Sequence, residues 1–179
     1  MSERSRVPSV VVGACNFSSL PFSNEWRLER AGEDIARLHR RPTRHISTVT
    51  TTDGNRFELV PDGWGLVRAI APNDRELGQI RRLTWSGRRW SVATPGFFCE
   101  LTSDPRPRAW TMRLGGEPIG ALAGTLFSYN TLSVHTDVSA PVTALTLMWH
   151  VLARPWEAAA APGALVPSEA RREAWRAHG

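Results

Sequence analysis

The sequence predicts a mainly β protein: a closed antiparallel barrel of about twelve strands around a hydrophobic C-terminal helix. Three observations carry this. From Asn24 to Val134, short alternating or β-branched runs recur about every 8–12 residues with turn chemistry between them. No stretch is left for crossover helices, which excludes a parallel α/β sheet. Near the end, Ser139 to Ala153 is apolar on every side, and a helix without a polar face must be buried all round. No helical partner is at hand, so strands have to surround it. A barrel of about twelve strands is wide enough for that, whereas about eight enclose only side chains.

The elements follow in order. Ser9 to Ala14 is the first strand. Trp26-Arg27-Leu28-Glu29-Arg30 alternates, Ala31-Gly32-Glu33-Asp34 turns, and Ile35 to His39 continues. His45 to Thr52 is rich in Thr, Ile and Val and stops at Asp53-Gly54-Asn55, a hairpin signal. Arg56 to Val60, Gly65 to Ala71, Glu76 to Trp85 and Arg88 to Thr94 follow. They are divided by Pro61-Asp62-Gly63, Pro72-Asn73-Asp74 and Ser86-Gly87. Phe97 to Thr102, Trp110 to Leu114, Ile119 to Leu126 and Tyr129 to Thr136 complete the series. Ser139 is suited to cap the helix, Pro141 to its first turn, and Arg154-Pro155 stops it. The helix spans roughly 21 Å, too short for a bilayer. Trp26, Trp64, Trp85, Trp90 and Trp110 lie on or beside strands, where large rings fill the space between barrel and helix. One domain covers residues 1–156, and 157–179 reads as an Ala/Pro-rich linker with a short amphipathic helix.

With 179 residues, 41% of them hydrophobic, the chain has material for one packed domain. All of its 22 basic residues are Arg, which points to a GC-rich coding bias and a bacterial source. The net charge of +5 favours an anionic partner. Cys15 and Cys99 make neither a disulfide framework nor a metal spacing, so a reduced cytoplasm is expected, with peripheral membrane contact as an extension. Val12-Gly13-Ala14-Cys15 has a trace of a lipoprotein cleavage site, but Pro8 and the short apolar run fit a first strand better.

Asn130-Thr131-Leu132-Ser133-Val134, followed by Asp137 to Leu145, resembles the last strand and central helix of the tubby C-terminal fold. The LURP-one-related and phospholipid scramblase families share that fold. Trp26-Arg27-Leu28, Leu77-Gly78-Gln79-Ile80 and Arg89-Trp90-Ser91-Val92 resemble its short hairpins. The resemblance covers about residues 9–156 and lies in layout more than in motifs. Nothing matches that superfamily's phosphoinositide-binding residues, a calcium segment or a palmitoylated cysteine cluster. It implies a lipid-associated or scaffold role rather than a defined activity.

Arginine is the most useful functional signal. Arg40-Arg41-Pro42-Thr43-Arg44-His45 is a basic loop, from which Arg41 and Arg44 are candidate anion contacts. Arg81, Arg82, Arg88 and Arg89 lie on the two arms of one hairpin, with Trp85 and Trp90 flanking its turn. Strand alternation turns one Arg of each pair outward, and Arg82 and Arg89 are the expected outer pair. Guanidinium groups beside Trp suit a phosphate clamp or base stacking. The bland alternative is a solvated hairpin whose arginines pair with Glu76, Glu100 or Glu117 and cover the rings.

No catalytic residues, metal ligands or cofactor are assigned. His150 reads better as a core histidine than as a ligand, since no carboxylate or cysteine accompanies it on the helix. His135 and Asp137 with Cys99 lack a nucleophile elbow. The expected function is therefore a non-enzymatic module binding an anionic phospholipid, a membrane surface or another anionic partner. The alternatives are a scaffold barrel with a protein partner at its C-terminal tail and, on Arg and Trp alone, a nucleic-acid binder.

Overall fold

The computed structural model describes residues 10–21, 23–41, 45–125 and 129–153. Twelve strands form one closed antiparallel barrel in which each strand pairs with its neighbours in sequence and the last pairs with the first. They are β1 (Val10–Ser19), β2 (Glu25–Arg30), β3 (Glu33–Arg41), β4 (Ile46–Thr51), β5 (Arg56–Pro61) and β6 (Leu66–Ile70). β7 (Glu76–Arg82), β8 (Arg89–Thr94), β9 (Phe97–Ser103), β10 (Ala109–Leu114), β11 (Glu117–Gly124) and β12 (Thr131–Pro141) complete the ring. Closure of β1 on β12 leaves no open sheet edge.

The strands alternate buried and exposed residues, so the apolar positions share one face. Leu28, Leu38, Leu59, Ile80, Val92, Leu101, Met112, Leu122 and Leu132 turn inward and are closed to solvent. Their barrel contains α1 (Val142–Leu152). Nearly every α1 side chain is buried, including Leu145, Leu147, Met148 and Trp149, which point in different directions around the helix axis. The helix meets β6, β7 and β8 on one side and β12 and β1 on the other. The apolar pattern that called for a sleeve of strands has one.

Several boundaries differ from expectation: β3 runs from Glu33 to Arg41 around the expected Ile35 to His39, β7 ends at Arg82 instead of Trp85, and two further shifts have a clear cause. β1 continues to Ser19 instead of ending at Ala14, because Cys15 and Phe17 keep facing the core and pair with Val134 and Leu132. The helix begins at Val142 instead of Ser139. β12 keeps its ladder with β1 as far as Pro141, opposite Val10, and the residue before a proline avoids helical backbone. Ser139 is therefore strand. Pro141 occupies the N-cap in extended backbone, with no side-chain cap. Cys15 lies in β1 with its side chain in the core. Among the described residues no helix is long and apolar enough to cross a membrane. The tail 157–179, expected as linker and amphipathic helix, lies outside them.

Candidate functional site

Antiparallel order assigns every turn to one of two ends. Take the lower end as the one where β12 passes into α1. The turns after β2, β4, β6, β8 and β10 are then at the lower end, and the connections after β1, β3, β5, β7, β9 and β11 at the upper. α1 runs upward, so its C-terminus lies near the upper rim. This segregates charge. Among the described residues, strand tips and loops of the upper end carry Arg40, Arg41, Arg81, Arg82, Arg88, Arg89, Arg106 and Arg108 against Glu25, Asp62 and Asp104, with Glu58 and Glu100 a step lower beside Arg41 and Arg89. Among the described residues, the lower end carries Glu29, Glu33, Asp34, Asp53, Asp74, Glu76 and Glu117 against Arg30, Arg56, Arg75 and Arg113, and Arg37 and Arg68 reach down to Asp34 and Glu76 at 3.5 and 3.6 Å. A six-residue strand separates the ends by about 20 Å, about twice the Debye length at 0.1 M salt. Each end therefore presents its own field.

The β7–β8 hairpin stands on the upper rim. Arg81, in register with Ser91, faces outward, and Arg88 in the turn is also exposed. Arg82 corrects the expected orientation. It pairs across the strands with Trp90, on the inner face, so it is half-buried rather than outward. Its guanidinium lies 5.3 Å from the Trp64 ring centroid and 5.4 Å from that of Trp90. The glycines at 65 and 87 make room for it: a Cβ at Gly65 would come within 2.6 Å of the Arg82 Cβ, and one at Gly87 within 2.5 Å of its Nη2. Both glycines also hold positive φ, +66° and +69°. Arg89 does face outward, but it is committed to Glu100 at 2.7 Å. Covered rings and a glutamate pair are what the bland alternative anticipated for these two arginines.

The tryptophans divide. Trp90 is 7% exposed and donates its Nε1–H to the Gly87 carbonyl at 2.8 Å, which makes it a core ring and not a ligand platform. Trp26, Trp110 and Trp149 are core as well. Trp85, named both as a core ring and as a ligand-side ring, is 72% exposed at the hairpin tip, and Trp64 is 55% exposed beside it, contrary to the core role expected of it. Leu20, Leu83 and Tyr129 are other exposed apolar groups of the upper connections.

Arg41 ends β3 on the outer face, 4.0 Å from Glu58. Arg44 lies outside the described residues. Arg40, first read as part of the basic loop, is inside the barrel. It is stacked 4.6 Å from the Trp149 centroid and 5.9 Å from that of Trp26, and it donates to the His150 carbonyl at 3.5 Å. There it meets the negative end of the α1 dipole. Ser47 Oγ is 2.9 Å from His150 Nδ1, so His150 belongs to this packed plug. Arg108 covers Tyr129 at 4.6 Å, and burial pushes its pKa below the usual range.

The hydrolase set does not assemble. His135 and Asp137 pair at 3.1 Å on the exposed face of β12, whereas the Cys99 thiol points into the core. Burial, with a smaller contribution from the Glu100 charge, pushes that thiol up to about 12. Among the described residues, no three His, Cys, Asp or Glu side chains gather in a way that could hold a metal ion. Comparison with known proteins finds no matching family model, no matching curated protein and no matching solved structure.

Sequence reasoning singled out the arginine hairpin and loop but missed Arg106 and Arg108 and the gathering of all these groups at one end. That signal was available, since alternate turns of an up-and-down barrel share an end. The Arg40 plug had no sequence signal, because it depends on which strand faces the helix terminus.

Proposed function

We propose that the protein is a non-enzymatic binding module that meets an anionic lipid head group, or another anionic partner, with its upper end. The single observation that carries this is the segregation of arginine to that end, together with the exposed Trp85 and Trp64 between the basic groups. Arg81, Arg88 and Arg106 are exposed there, and they supply the long-range attraction. Trp is at home where one side is apolar and the other wet, as at a membrane surface. A twelve-strand ring around a terminal helix is also the layout of the tubby-like superfamily, and membership of it is part of the proposal. The protein would work at the surface of a membrane without crossing it.

Arg81 and Arg88 replace Arg82 and Arg89 as the groups to test. Flotation with neutral phosphatidylcholine vesicles and with vesicles containing phosphatidylserine is run at about 50 mM salt, where the Debye length exceeds 10 Å. The wild type is expected to float with the anionic vesicles alone and to be released as salt rises. Arg81→Gln/Arg88→Gln should lower the bound fraction several-fold without moving the thermal midpoint. Equal binding to neutral vesicles, or no effect of the double substitution, refutes the reading. Preference for a single-stranded oligonucleotide over the vesicles favours the nucleic-acid alternative.

A further inference from the structure

The lower end carries an apolar groove of about 580 Å³, lined by Thr94, Phe97, Phe98, Leu114, Ile119 and Val138 among others. Phe98 is 47% exposed on the outer face of β9, and Leu114, on the inner face but at the end of β10, is 48% exposed at the rim. Acidic groups flank the groove. Glu117 begins β11 next to Leu114's turn, Asp137 adjoins Val138, and Glu76 lines a second hollow that shares Thr94. At the opposite end of the barrel the β7–β8 hairpin offers the complement: exposed Leu83 and Trp85 between exposed Arg81 and Arg88.

We propose that the protein assembles head to tail, with the Leu83/Trp85 tip of one copy seated in the lower groove of the next. A groove of about 580 Å³ has room for an indole and a leucyl group. Charge decides the orientation. Two upper ends brought together would oppose arginine to arginine, and two lower ends carboxylate to carboxylate, so a two-fold arrangement is disfavoured. An upper end against a lower end sets Arg81 and Arg88 near Glu117, and near Asp137 and Glu76, whose partners in one copy are His135 at 3.1 Å and Arg68 at 3.6 Å. The tip and the groove lie about 20 Å apart on opposite ends of a rigid barrel, so no copy can satisfy itself. The contact is heterologous and grows in an open series unless a rotation closes it. A hairpin tip in a groove is a small interface, at the low end of the specific range, so the assembly is weak, concentration-dependent and steered by charge. This inference does not rest on the anionic-surface reading, although the two compete for the upper end.

The test is sedimentation velocity across protein concentration at low and high salt, on three proteins. Wild type is expected to form a series of species that lengthens with concentration and dissolves with added salt. Trp85→Ala has an intact groove without a tip, and Phe98→Gln/Leu114→Gln has an intact tip without a groove; each should sediment as a monomer. Mixed in equal amounts, the two variants should form a dimer and nothing larger, because each supplies the half the other lacks. That complementation also shows that both variants fold. A wild type that stays monomeric at every concentration overturns the proposal. So does a wild type that stops at a dimer, a variant that assembles alone like the wild type, or a mixture that stays monomeric. The groove variant keeps its upper end and should still float with phosphatidylserine vesicles. Loss of assembly with vesicle binding retained separates this inference from the proposed function.

Discussion

Arg82 lies between the rings of Trp64 and Trp90, with Gly65 and Gly87 closing around it. A stacked, partly desolvated guanidinium contributes up to about 2 kcal/mol, so Arg82→Ala should lower stability by about 1–2 kcal/mol in urea unfolding. Gly87→Ala should also destabilise, since alanine dislikes the +69° φ and its Cβ would displace the Arg82 fork. The cysteines make a different prediction. Burial pushes Cys15 up to about 11 and Cys99 up to about 12, from an ordinary value of 9.0. The native state therefore holds protons that the unfolded chain releases, and stability falls as pH rises from about 9 towards 12. At pH near 8 a thiol reagent should label both residues only as fast as the chain opens, and fast labelling of the native protein would contradict their burial. At this scale much was hidden from the sequence. That Arg82 and not Arg81 faces inward depends on a one-residue register, and a slip of one reverses every side chain. Trp64 was read as core because a ring's burial depends on where its turn projects.

At the scale of elements, α1 was the clearest signal in the chain. A run with no polar face allows one environment, and nine of its residues are buried. Leu145→Ala removes a fully buried side chain from the barrel's centre, and a cost of roughly 2–5 kcal/mol is expected. An unchanged urea midpoint would take Leu145 out of the core. The helix start was misread because Ser139 and Pro141 satisfy helix rules as well as strand rules. Pairing with β1, more than a hundred residues away in sequence, decides between them. Strand number and the tight hairpins were legible because Gly, Asn, Asp and Pro mark the turns. Strand ends were less so, since ladders run on while a partner lasts.

For the whole molecule, the central claim is polarity: a barrel whose upper end is basic and aromatic and whose lower end is acidic around an apolar groove. Closure and order follow from a chain of short neighbours with no crossover. The polarity was present in the sequence too, as arginine at alternate turns and carboxylates at the others, but it becomes visible only once the strands are assigned a direction. It predicts which surface an anionic partner covers. The most direct measurement is backbone hydrogen exchange with and without phosphatidylserine vesicles at low salt. Slowed exchange is predicted at 62–65, 83–88 and 104–108, with no change at 52–55, 71–75 and 115–116. Protection confined to the lower turns, or spread evenly over both ends, would contradict it.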